Sequence, residues 1–138
     1  MTSPNALPGL APVILSCPDP MMFTDAAARI EVCNNPLARV LGFERSADLL
    51  GATLEEILGA FERMVPPDEL DDFRARQAAI VARMNLNRDP AAEDTQTFLL
   101  QGPGFEGPHE IRARIWAIFD GSDTHPVGAI SHYTVTAL

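Results

Sequence analysis

The chain has 138 residues, 46% of them hydrophobic, with 19 Asp and Glu against 10 Lys and Arg and a formal net charge of -9. That length suits one domain that folds without a disulfide or a metal, and the apolar content argues against disorder over the whole chain. An acidic surface with no basic cluster argues against direct binding to nucleic acid or to an anionic membrane. The two cysteines, Cys17 and Cys33, form no Cys-x-x-Cys pair and have no companion His at ligand spacing. They read as reduced thiols, with no metal site. Met1–Pro8 lacks the basic start of a signal peptide, and Leu10–Leu15 is too short to span a bilayer. The expected location is cytoplasmic.

Residues 1–17 read as an N-terminal arm. Thr2–Pro12 carries three prolines and a glycine and is expected to be extended or loosely ordered, followed by the apolar patch Val13, Ile14 and Leu15. Pro18-Asp19-Pro20 is a turn signal. Met21–Thr24 and the alternating Arg29–Cys33 then predict two strands of a hairpin, joined by a turn at Asp25–Ala28. Asn34-Asn35-Pro36 opens a short helix with Leu37, Val40 and Leu41 on one face, stopped by Gly42. Ser46 caps a second short helix through Leu50. Thr53 and Glu56 form a capping-box pattern for a helix to about Met64.

Pro66-Pro67-Asp68 starts the longest helix, to about Met84, with Leu70, Phe73, Ile80, Val81 and Met84 close to one stripe. Asn85–Asp94 reads as a loop, Thr95–Leu100 as a strand and Gln101–Pro108 as a connection. Glu110–Phe119 is the clearest strand, Asp120–Pro126 a turn, and Val127–Val135 the last strand. Runs of one element type, not strict alternation, predict an α+β fold with an antiparallel sheet.

In this order, Pro18–Phe43 resembles the start of a PAS domain: Asp25 ending a strand, the Arg29–Cys33 strand, Asn34, the Leu37–Leu41 helix, and Gly42-Phe43. Ala47–Gly51 is similar to the family's Asp-Leu-Leu-Gly segment. Pro66-Pro67-Asp68 is similar to the Pro-x-Asp that opens its long helix, and Gly128 with Thr134–Thr136 falls where its final strand lies. The resemblance implies that residues 18–138 form a PAS-like five-stranded antiparallel sheet with several short helices and one longer helix across one face. It also implies a role in sensing, dimerisation and signal relay, in a signalling protein of the bacterial two-component type. The expected partners are a second copy of the chain and an effector domain or partner signalling protein. A ligand between helices and sheet would be bordered by Phe61, Met64, Phe73, Ile80, Met84, Ile111 and Ile115, although each taken singly reads as ordinary core.

No cofactor is expected. Haem-binding relatives place a His on or near the long helix, whereas His109, His125 and His132 all lie in the sheet half. Photoactive flavin relatives use an Asn-Cys-Arg-Phe-Leu-Gln-like motif, which is absent. Redox flavin relatives carry a Trp near the start of the penultimate strand, and Trp116 comes late. Along Glu110–Phe119 one face holds Ile111, Ala113, Ile115, Ala117 and Phe119, the other Glu110, Arg112, Arg114, Trp116 and Ile118. The second face, with Trp116 and Ile118, and the patch Val13, Ile14 and Leu15 are expected to form the dimer interface. The alternatives are a ligand-free dimerisation module and a small pocket enzyme of the NTF type. The enzyme would have only Asp25, Glu31, His109 and His132 as acid–base candidates, and its fold begins with a helix where this chain is expected to begin with a hairpin. The chain is therefore not expected to be an enzyme.

Overall fold

A computed structural model describes residues 9–86, 94–101, 107–119 and 127–138, with side chains throughout except those of residues 80–86 and 94. Helix α1 (Leu10–Ser16) leads into the hairpin of β1 (Met21–Asp25) and β2 (Ile30–Cys33). Helix α2 (Asn35–Val40), a 3-10 turn at Ser46–Leu49, helix α3 (Leu54–Glu62) and a 3-10 turn at Pro67–Glu69 follow. Helix α4 (Leu70–Leu86) precedes β3 (Asp94–Leu100), β4 (His109–Ile118) and β5 (Gly128–Ala137). The strands form one antiparallel sheet in the order β2-β1-β5-β4-β3. This is the α+β architecture expected from the sequence.

The expectation of an extended segment over Thr2–Pro12 is corrected from Leu10 on, while residues 2–8 lie outside the described residues. Residues 10–16 form a helix, and Pro12 is accommodated because it occupies the third helical position, where no intrahelical N–H bond is required. The described residues thus begin with a helix and not with the expected hairpin. The loop Asn85–Asp94, the connection Gln101–Pro108, the turn Asp120–Pro126 and His125 lie wholly or largely outside the described residues.

The β1–β2 turn is organised by Asp25, whose Oδ1 accepts the N–H groups of Ala27 and Arg29 at 2.9 and 3.0 Å. Ala28 completes it at φ 61. Asn34 caps α2 by accepting the Leu37 N–H. Thr53 and Glu56 form the expected capping box of α3. Alternation divides the sheet into two faces. Met22, Ile111, Ala113 and Tyr133 point into the main core with Leu37, Ile57, Phe61 and Phe73 from the helices. Met21, Phe23, Val32 and Ile130 point the other way and are covered by Ile14 of α1, with Trp116 and Ile118 packed alongside. The β2 edge is closed by the following segment, through Ile30 N–H to Ala52 C=O (2.8 Å) and Gly51 N–H to Ile30 C=O (2.9 Å).

Candidate functional site

The opposite sheet edge, at β3, borders a cleft of about 210 Å³. It lies between the first half of α4 and β3, and is lined by Val65, Glu69, Asp72, Phe73, Arg76, Gln96, Thr97, Phe98, Leu99 and Glu110. Its apolar wall is aromatic. Phe73 and Phe98 meet edge to face at 4.8 Å between centroids, and Phe61 meets Phe98 at 5.7 Å and Tyr133 at 5.4 Å. Its rim is charged. Arg76 bonds Asp72 at 2.9 Å and donates to the Thr97 carbonyl at 3.2 Å, so one guanidinium ties α4 to the sheet edge. Gln101 N–H, just past β3, donates to the Met64 carbonyl.

Two glutamines occupy core positions here, Gln96 in the cleft lining and Gln77 behind it. Gln77 lies one turn after Phe73, and Gln96 faces inward on β3, opposite Ala113. Both are at least nine-tenths buried, and Gln77 Nε2 donates to Gln96 Oε1. That leaves Gln96 Nε2 as the buried side-chain polar atom, among those described, with no partner. A buried donor without an acceptor costs about 1–3 kcal/mol. The sequence carried this signal, a Gln at each of two otherwise apolar periodic positions, but the expected site missed both residues.

Of the seven residues expected to border a ligand, Phe73 lines the cleft. Phe61, Met64 and Ile111 pack with it in the main core, and Ile115 is half-buried on β4. Ile80 and Met84 lie in the last turns of α4, and their side chains fall outside those described. Of the expected interface, Ile14 is fully buried on the sheet of its own chain, whereas Val13 and Leu15 are each 59% exposed. Trp116 is half-buried, with the Arg114 guanidinium 5.8 Å from its ring centre.

The acid–base candidates do not converge. Asp25 stands near Glu31, whose carboxyl is raised by burial and then by the Asp25 charge. His109 lies at the far end of the sheet: Asp25 aligns with Gly128 and Ile118, while His109 aligns with Ala137. The length of β4, roughly 30 Å at about 3.3 Å per residue, separates them. His132 sits on the outer face and bonds Asp19 at 3.1 Å. No His stands at ligand spacing from either cysteine along the sequence, but folding brings Cys17 to His132 and Asp19. Burial pushes the Cys33 thiol up to about 11 and the Tyr133 phenol up to about 12, the latter partly offset by a hydrogen bond with Ser131.

No family model matches the sequence, and no curated protein matches it either. Solved structures do match. The PAS domain of BvgS from Bordetella pertussis is 18% identical, with a TM-score of 0.62 over 94% of this chain and 85% of that one. The PAS domain of a LuxR-family transcriptional regulator from Burkholderia thailandensis, in complex with ethanol, is 18% identical, with a TM-score of 0.56 over 90% and 94%. A LOV protein from Rhodobacter sphaeroides is 16% identical, with a TM-score of 0.63 over 91% of this chain and 64% of that one. The chain therefore has a PAS-like fold. No helix among the described residues is long and apolar enough to cross a membrane.

Proposed function

We propose that this PAS-like domain is a sensor module without catalytic activity, which takes up a small uncharged organic molecule in the cleft between α4 and β3. The unpartnered Gln96 amide carries the reading. A turn of the Gln96 side chain would bring that N–H to a ligand acceptor beside the Phe73 and Phe98 rings, the apolar part of a lining that also carries Glu69, Asp72, Arg76, Thr97 and Glu110. The carboxylates of Glu69, Asp72 and Glu110 around the cleft disfavour an anion. The Burkholderia thailandensis neighbour, described with ethanol, lends support to a ligand of that size class. Among the described residues the cleft lining contains neither His nor Cys, so these offer no imidazole or thiolate to a haem iron and no thiol for a flavin adduct. Ligand uptake would alter how α4 is tied to the sheet edge through Arg76, and the output would pass to a second copy or an effector through the exposed side of α1.

Amide-resolved NMR titration with a panel of short alcohols, ketones and amides tests the reading. Saturable shifts are expected at Phe73, Gln77, Gln96 and Phe98 for at least one compound, weakened about tenfold in Gln96→Leu, as loss of one buried hydrogen bond predicts. Binding that ignores the cleft, or that Gln96→Leu leaves unchanged, would overturn it.

A further inference from the structure

We propose that Cys17, Asp19 and His132 bind one divalent transition-metal ion of the zinc type, where helix α1 meets the outer face of the sheet. The Cys17 Sγ, an Asp19 carboxylate oxygen and a His132 ring nitrogen all lie within 4.8 Å of one another. His132 Nε2 and Asp19 Oδ2 are 3.1 Å apart. A tetrahedral zinc ion with bonds of about 2.0–2.3 Å holds its ligands roughly 3.2–3.7 Å from each other, so closing the site needs about an ångström of side-chain movement. Thiolate, imidazole and carboxylate are the three ligand types zinc takes, and the thiolate and carboxylate charges balance a dication. Cys17 would bind after releasing its thiol proton. The site is partly open, with the Asp19 side chain 47% exposed and His132 18%, which leaves the fourth position to water or to a partner's ligand.

The backbone beneath the triad is held in place. Asn34, fully buried, turns the two N–H groups of Nδ2, one of them shared, to the carbonyls of Ile14 (3.1 Å), Cys17 (3.2 Å) and Asp19 (2.8 Å), while its Oδ1 accepts from Met21 N–H. One amide thus fixes the segment that carries two of the three ligands, and prolines at 18 and 20 bracket Asp19. The third ligand stands on a central strand, with Tyr133 N–H donating to the Pro20 carbonyl at 2.9 Å and His132 paired to Met21. Ligands on rigid supports are what a metal site requires. A salt bridge explains His132 and Asp19 but gives the thiol no part. Metal binding uses all three, and would staple the C-terminal end of α1 to β5.

The test is titration of the tag-free, reduced full chain with zinc by calorimetry and with cobalt by absorption. One equivalent is expected to bind with a Kd of about 1 μM or tighter. Cobalt should give a near-ultraviolet thiolate charge-transfer band and the intense visible bands of four-coordination. Cys17→Ser and His132→Gln should each weaken zinc binding about 100-fold or more, with Cys33→Ala unchanged and circular dichroism confirming folded protein. Absence of stoichiometric binding, bound cobalt without a thiolate band, or zinc affinity unaffected by Cys17→Ser would each overturn the proposal. The wild-type cobalt spectrum decides the matter even if a variant fails to fold.

Discussion

Tyr133 is the only tyrosine in the chain and sits between the Phe61 ring and the sheet, 4% exposed. Burial raises its phenol to about 12 and the Cys33 thiol to about 11, from 10.0 and 9.0. The folded protein therefore holds both protons more tightly than the unfolded chain. The stability they contribute is complete below about pH 9 and is lost as pH rises through 11 to 12. Each shift of about two units corresponds to roughly 2–3 kcal/mol. Urea midpoints are expected to fall across that window, and the phenolate absorbance should titrate near 12 in native protein and near 10 in urea. A native midpoint at 10 would mean that Tyr133 is solvated. Residue-scale signals were unevenly legible. Asp25 and Asn34 announce a turn and a cap through their types and spacing. The pairing of Gln77 with Gln96 needs α4 to lie across β3, which no local pattern specifies.

Two glycines separate backbone necessity from backbone tolerance at the level of elements. Gly128 opens β5 opposite Asp25 and Ile118, and a Cβ there would run into the Thr24 carbonyl and the Phe23 ring. Gly128→Ala is expected to cost about 1–3 kcal/mol, because a strand carbonyl cannot step aside. Gly59, inside α3, has open space at the same position. Gly59→Ala should stabilise by about 0.5–1 kcal/mol. Denaturant unfolding of the pair checks both signs, and equal effects would refute the argument. The strands were readable because period-two alternation on β4 assigned Ile111 and Ala113 to one face and Trp116 to the other, as they stand in the fold. Helix α1 was not, because Pro12 and Gly9 are breakers in isolation. Ile14 reaching the cluster of Phe23 and Ile130 is what makes a seven-residue helix worth forming.

At the scale of the whole molecule, α1 presents Ile14 inward and leaves Val13 and Leu15 uncovered. A second copy of the chain is the proposed cover. Val13→Glu with Leu15→Glu is expected to shift sedimentation from dimer to monomer while leaving the thermal midpoint within a few degrees. Trp116→Glu, by contrast, should lower stability, because Trp116 already packs within its own chain. A monomeric wild type would remove the dimer from the proposal and leave the cleft untouched. The sheet order was the part least visible in the sequence, and it is what brings His132 to Asp19, 113 residues away, and to Cys17 beside it.

That same order sets a timetable. The first described strand pairs with the last, Thr24 meeting Ala129 across 105 residues, so the central strand β5 and its neighbour β1 are the two made furthest apart in time. At synthesis rates of about 5–20 residues per second, the hairpin waits roughly 5–20 s with one edge bare before its neighbour exists. Contacts of such long range make for slow folding, and an unpaired edge invites foreign strands. A nascent chain stalled before Gly128 would thus be a natural client for chaperones, and the closing of β5 between β1 and β4 is the event that ends its vulnerability.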